Sequence, residues 1–124
     1  MTLVILKNRQ DFLHLTHKGV HWHAKGFGLQ IAPNDSGGMR VGFTVSKRVD
    51  NRAVVRNRAK RRLRSLVTDM LPAHGTQGFD YVLVGKKETA TRDFEDLQKD
   101  LIWALKRAHA KWAEAPSKNV SKSS

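Results

Sequence analysis

The sequence predicts an α+β fold, a small two-layer α/β sandwich whose elements run helix, two or three strands, helix, strand, helix (α-β-β-β-α-β-α). Three observations predict it. Two runs alternate with period two: Phe27, Leu29 and Ile31 oppose Gly28, Gln30 and Ala32, and Met39, Val41, Phe43 and Val45 oppose Arg40, Gly42, Thr44 and Ser46. A third run, 79–85, is short and almost wholly apolar, like a strand buried inside a sheet. Two longer segments instead carry apolar residues at helical spacing, Val55, Ala59, Leu63, Leu66 and Met70 in one and Phe94, Leu97, Leu101, Ala104, Leu105, Ala108 and Trp112 in the other. Sheet and helices each present one apolar side, so they bury those sides against each other.

Residues 1–7 read as an extended lead-in. A short helix follows from Arg9 to about Lys18, capped by Asn8 and stopped by Gly19. Phe12 and Leu15 share its inner side, unless Phe12 flanks an exposed groove. Val20 to Pro33 reads as one strand, with glycines that mark a bend or a close backbone approach. The stretch 33–38 is a turn by composition, and the strands on either side of it are expected to pair antiparallel. Lys47-Arg48-Val49-Asp50-Asn51 is a basic connector. Its Asp50 or Asn51 caps a helix expected to end near Met70 or Leu71, before Pro72. After the loop 73–78 and the apolar strand, Asp93 caps the last helix. From Ala115 the chain is small, polar and basic, which predicts one domain over 1–114 and a disordered tail over 115–124.

With 124 residues the chain can bury one core. Lys and Arg number 23 against 11 Asp and Glu, a formal charge of +12 and a pI near 10.6. Such an excess marks a nucleic-acid or anionic-membrane partner. No apolar segment approaches spanning length and no lipidation motif is present, so membrane binding is the weaker expectation. The start, Met-Thr-Leu-Val-Ile-Leu-Lys, is too short for a signal peptide, and without cysteine there are neither disulfides nor thiolate metal sites; the expectation is a cytoplasmic protein.

The basic residues are concentrated in Arg56-Asn57-Arg58-Ala59-Lys60-Arg61-Arg62-Leu63-Arg64, where six of nine are Lys or Arg. On a helix, at about 100° per residue, Arg58, Lys60, Arg61, Arg62 and Arg64 cover most of the circumference that the apolar stripe leaves, with Arg56 at the border. A charged helix face is commonly just solvated. Here no acid falls between Asn51 and Leu66, and Arg outnumbers Lys, which favours forked contacts to phosphate and stacking on bases. Catalytic chemistry is not evident. The acids are scattered, and Glu95, Asp96, Lys99 and Asp100 read as a solvated helix face. His21 and His23 share one side of a strand but have no third ligand nearby, so exposed strand histidines are the plainer reading than a metal pair. There is no P-loop, dinucleotide turn or nucleophile motif.

With these residues in view, the chain resembles the protein component of bacterial ribonuclease P. That family carries an Arg-Asn-Arg run followed by Lys-Arg and further arginines, just after a Val-Gly-Phe-x-Val-Ser-Lys-Lys type strand. This chain has Arg40-Val41-Gly42-Phe43-Thr44-Val45-Ser46-Lys47-Arg48 and then the 56–64 run, with Asp11-Phe12-Leu13, Gly19, Phe79-Asp80-Tyr81-Val82 and Phe94-Glu95-Asp96-Leu97 in the family's places. The resemblance covers about 5 to 110. It implies that the arginine-rich helix sits in a left-handed β-α-β crossover, as in the second domain of a small-subunit ribosomal protein. It also implies that the catalyst is an RNA subunit, a ribozyme that uses Mg2+ to cut the 5′ leader from precursor tRNA, and that the protein supports binding of substrate and metal with no catalytic residue and no dedicated metal site of its own.

On this resemblance Arg56, Asn57, Arg58, Lys60, Arg61, Arg62 and Arg64 lie against the catalytic RNA, with Lys47 and Arg48 nearby. Asn51 belongs with them if one extra residue in 49–54 does not displace it. A groove between the first helix and the sheet holds the single-stranded leader. Phe12 and Phe27 fall on its matching positions, and Thr16 and Gln30 stand where the family more often has aromatics. Phe12 and Phe27 each also have a reading as core; if Phe27 is buried, Gly28 and Gln30 line the groove instead. The implied partners are the ribonuclease P RNA and precursor tRNA, with a protein that is otherwise monomeric. Two other classes stay open at this point: a ribosomal or DNA-architectural protein using the same basic helix, and a self-sufficient metal nuclease.

Overall fold

The computed structural model describes residues 4–5, 19–34 and 37–123, with side chains from 19 to 113. The helix expected over 9–18, with Phe12 and Thr16 on it, lies outside the described residues. In chain order the elements are β1 (Val4–Ile5), β2 (Val20–His23), β3 (Phe27–Pro33), β4 (Arg40–Thr44), α1 (Ala53–His74), β5 (Phe79–Gly85), α2 (Lys87–Thr91) and α3 (Phe94–Ser123). The strands form one mixed sheet in the order β1-β4-β5-β3-β2. β1, β4 and β5 run parallel, while β3 is antiparallel to both β5 and β2.

The expected antiparallel pair of β3 with β4 does not form, because β5 is inserted between them. Its run of buried residues, Asp80, Tyr81, Val82 and Leu83, needs partners on both edges and cover on both faces. The turn after β3 lets its neighbours straddle that strand: Asn34 N–H donates to the Gly78 carbonyl (2.7 Å) and Gly78 N–H to the Gly38 carbonyl (3.0 Å). Gly78 itself has φ +86°, a left-handed conformation that suits glycine. The single strand expected over 20–33 is in fact a hairpin. It turns at Ala24 to Gly26, where Ala24 N–H reaches the Phe27 carbonyl (2.9 Å).

The period-two readings place the side chains correctly. Phe27, Leu29, Ile31, Met39 and Val41 join Tyr81 and Leu83 on one face, under Leu63, Leu66, Val67 and Leu71 of α1 and Leu97, Leu101, Ala104, Leu105 and Ala108 of α3. α1 covers the β4–β5 half and α3 the β2–β3 half. The opposite face carries a smaller apolar patch, Ala32, Val82 and Val84. In the helix, Val67 and Leu71 are buried and Met70 only partly, a shift of the stripe by one residue from the expected Val55–Met70 line.

Both ends of α1 differ from expectation. α1 continues through Pro72 to His74 rather than stopping before it. Proline forfeits one backbone bond there, but Leu71 beside it is fully buried and Gly75 N–H closes on the Leu71 carbonyl (2.7 Å), which holds the last turn. At the other end neither Asp50 nor Asn51 is the N-cap. Arg52 occupies that position without a side-chain cap, and Asp50 instead accepts the Arg52 N–H (2.8 Å) just outside the helix.

Asp80 is the charged residue that this arrangement buries completely. The Arg40 guanidinium forks onto it (Nε to Oδ1 2.8 Å, Nη2 to Oδ2 2.7 Å), and Asn34 Nδ2 donates to Oδ1 (2.7 Å) and to the Gly38 carbonyl (3.0 Å). The network ties the turn after β3 to the starts of β4 and β5. Asp80→Ala removes the acceptor from a buried ion pair and is expected to lower the urea-unfolding free energy by about 3 kcal/mol.

Candidate nucleic-acid interface

Ala59, Leu63, Leu66, Val67 and Leu71 fix the rotation of α1, since all are at most 1 % exposed. Asn57, Arg58, Lys60, Arg61 and Arg64 are thereby turned to solvent. Like charges three or four apart on a helix, such as Arg58 and Arg61 or Lys60 and Arg64, oppose folding by about 0.2–0.5 kcal/mol per pair. Each buried aliphatic side chain below them contributes about 1.5–3 kcal/mol, so packing wins and the repulsion stays stored on the surface.

Two arginines of the run turn inward. Arg62 is half-buried, with Nη1 donating to the Thr89 carbonyl (2.8 Å) and Nη2 to the Arg92 carbonyl, which satisfies the C-terminal carbonyls of α2. Its guanidinium also lies 6.0 Å from the Phe94 ring centroid. Burial, and then the neighbouring Arg58 charge, pushes its pKa down from the ordinary arginine value. Arg56 folds back to donate to the carbonyls of Asp50 (2.9 Å) and Asn51 (2.8 Å), and so braces the connector. Arg62 thus differs from its expected place on the outward arc, while Arg56 keeps to the border of the stripe where the sequence puts it. Position on the helix decides it: both sit beside the apolar stripe, within reach of backbone carbonyls.

The connector completes the basic surface. Lys47, Arg48 and Asn51 are exposed around a cleft of about 550 Å³ that Arg52 and Lys87 also line. A second cleft of about 530 Å³ adjoins it, between Arg58, Val55 and Arg52 on one side and Lys87 and Glu88 on the other. Arg52 and Lys87 are not legible as members of this site from the linear motif. β4 and β5 are adjacent and parallel, so the connector after one and Lys86-Lys87 after the other leave the sheet at the same end. Of these cations Arg52 is already matched, with its guanidinium forked on Asp50 (both bonds 3.1 Å). That pairing, chiefly the Arg52 side-chain hydrogen bonds, holds the Asp50 carboxyl at about 2.

The sheet's other face holds a cleft of about 130 Å³ lined by His21, His23, Gly28, Leu29, Gln30, Val84 and Lys86. Phe27 does not line it. Its ring is fully buried in the helix-covered core, because period two puts it with Leu29 and Ile31. Gly28 and Gln30 take the groove side instead, and Gln30 is only half-buried. Phe12 and Thr16 lie outside the described residues. Asp100, read from sequence as solvated, is instead enclosed: it accepts from Arg92 Nε (2.8 Å) and Gly26 N–H (3.1 Å), locking the β2–β3 turn to α3. Among the described residues no three of His, Cys, Asp and Glu stand close enough to hold a metal, and no helix is long and apolar enough to cross a membrane.

Stability measurements separate the inward from the outward arginines. Arg62→Ala is expected to cost about 1.5–3 kcal/mol by urea unfolding, for its charged hydrogen bonds, whereas Arg61→Ala stays within about 0.5 kcal/mol of the parent. The Asp50 carboxyl, followed by NMR, is expected to titrate at about 2 and to move up toward the ordinary carboxylate value in Arg52→Ala. Because that pKa is depressed on folding, the pair's contribution is present above the unfolded value and is lost as pH falls through about 2.

A family model described as Ribonuclease P matches residues 2–109. The ribonuclease P protein component of Paramagnetospirillum magneticum is 48% identical over 110 residues, covering 85% of this chain and 82% of that protein. The one from Ruegeria pomeroyi is 46% identical over 113 residues, covering 86% of each. Among solved structures, the RNase P protein from Thermotoga maritima superposes with a TM-score of 0.71 at 26% identity, over 82% of this chain and 94% of that one. The basic surface described above is carried by the part of the chain that these matches span, and the chain belongs to the family of bacterial ribonuclease P protein components.

Proposed function

We propose that the chain serves ribonuclease P by holding RNA on two surfaces, the catalytic RNA along α1 and its connector and the 5′ leader of precursor tRNA across the sheet face opposite α1 and α3. As a family member it is the protein subunit of ribonuclease P, the ribonucleoprotein endonuclease that processes the 5′ ends of tRNA, and it associates with the ribonuclease P RNA. The observation that carries the finer reading is the row of Arg58, Lys60, Arg61 and Arg64, exposed together on a helix whose other side is fully packed. Fixed guanidinium groups of this density release condensed counterions when they meet phosphates, and Arg adds forked contacts. Lys47, Arg48, Asn51, Asn57 and Lys87 extend that surface, while Arg56 and Arg62 shape it from beneath.

The sheet-face cleft, between His21, His23, Gln30 and Lys86, offers hydrogen-bonding groups and one cation to a single strand. Its described lining has imidazoles but no Phe, Tyr or Trp, so recognition there rests more on hydrogen bonds than on broad stacking. Mg2+ supplies charge stabilisation at the scissile phosphate in a ribozyme of this kind. In this reading its ligands are RNA oxygens. The protein's part is to neutralise phosphate, which lowers the Mg2+ needed and favours leader-bearing precursor over mature tRNA. A cytoplasmic, monomeric protein is part of the same reading.

Reconstitution with a ribonuclease P RNA tests it. The protein is expected to stimulate cleavage of precursor tRNA at low Mg2+, and the Arg58→Ala, Arg61→Ala double variant to flatten the salt dependence of RNA binding by about one and a half to two in slope. Equal affinity for any duplex, with no stimulation, would instead identify a general architectural protein. Cleavage by the protein alone would identify a nuclease.

A further inference from the structure

The described chain exposes few large apolar side chains, and one of them lies far from α1. Trp103 of α3 is 46% exposed. Its ring meets Trp22 of β2 edge-on, with centroids 5.6 Å apart, and the Arg107 guanidinium lies 5.6 Å from the Trp22 ring centroid. The Trp22 indole N–H is buried without a hydrogen-bond partner among the described residues, so the ring is held by its contacts with these neighbours. Lys99, Lys106 and Lys111 are exposed around the pair, and the sequence has no acid between Asp100 and Glu114. A half-exposed indole with Lys99, Lys106 and Arg107 on its own helix, and with the nearby Asp100 turned to Arg92 and Gly26, suits a base with its phosphates. It suits a second copy of this chain poorly, since that copy would bring the same charges.

The position of this shelf specifies the occupant further. β2 is the edge strand, and its pleat sends His21 and His23 to the cleft face and Trp22 to the α3 face. The two surfaces are therefore opposite sides of one strand, which among the described residues ends the sheet. Lys111 Nζ already reaches round that edge to the His21 carbonyl (3.4 Å). We propose that Trp103, Arg107 and Lys111 form an outer subsite for the upstream part of a long 5′ leader, which leaves the sheet-face cleft over β2 and stacks an unpaired base on Trp103. This rests on the reading of that cleft as the leader site.

The test measures binding of two precursor tRNAs to the reconstituted holoenzyme, one with a leader short enough to end within the cleft and one extending several nucleotides further. Trp103→Ala is expected to leave the short-leader precursor unchanged and to weaken the long-leader one about five- to tenfold, with Trp103→Phe restoring most of the loss. Arg107→Ala should weaken the long-leader precursor alone and reduce the salt dependence of its binding. No loss with either leader overturns the proposal, as does an equal loss with both, which would place Trp103 in the fold or against the catalytic RNA. Loss of a dimer on Trp103→Ala, seen by sedimentation of the free protein, also overturns it. Gln30→Ala separates this from the cleft itself: if it changes neither precursor's affinity, the leader reading fails whatever Trp103 does.

Discussion

Burial of one face of α1 against β4 and β5 is the constraint on which the rest depends. A helix this rich in like charge does not favour itself, and without Leu63, Leu66, Val67 and Leu71 in the core nothing would hold its arginines in a row. The same burial sets their direction. Rotating α1 to relieve the repulsion would expose leucine, at a cost well above the few tenths of a kcal/mol gained for each pair of charges separated. Surface charge is thus presented by the packing beneath it. A polyanion that neutralises the row relieves a strain which folding has already overcome.

Not every arginine of the run is turned to solvent. Arg62 reaches the carbonyls of Thr89 and Arg92, and Thr89 in turn donates its hydroxyl to the Gly26 carbonyl while accepting the Lys86 N–H (2.9 Å). With Asp100 on Gly26 N–H, these bonds join α1, α2, α3 and the β2–β3 turn at one corner. A Cβ at Gly26 would meet the side chains of Leu97 and Asp100, so any larger residue there requires this corner to shift. The corner lies where the chain leaves β5, next to the cationic clefts. Position along the run, rather than charge, separates a structural arginine from one free to meet phosphate.

The sequence carried the faces better than the partners. Alternation placed Phe27, Leu29, Ile31, Met39 and Val41 in the core, because the side-chain period of a strand is local and needs no knowledge of its neighbours. Pairing is not local. Nothing in 27–46 announces that a strand beginning at Phe79 will enter between β3 and β4, and the short turn between them reads naturally as a hairpin. The exposed arginines were legible from composition, whereas Arg62, Arg56 and Asp100 were not, since each is engaged by groups that only the fold brings near. Lys87 escaped for the same reason. Phe27 read from sequence either as core or as groove, and its full burial with Leu29 and Ile31 follows the period-two pattern.

The parallel return from β4 through α1 to β5 gives these particulars a common cause. Parallel neighbours need a long crossover, and a crossover long enough to be a helix must pack on the sheet it spans. The segment that makes the connection is therefore held along its whole length, and both of its ends open at the sheet's rim. Placing the arginines on that segment gives them a rigid backing, while the connector before it and the chain after β5 add Lys47, Arg48 and Lys87 at one end. A loop with the same composition would present equal charge but would lose more conformational freedom on binding. Rigidity, more than the number of cations, is what the crossover contributes to presenting this charge.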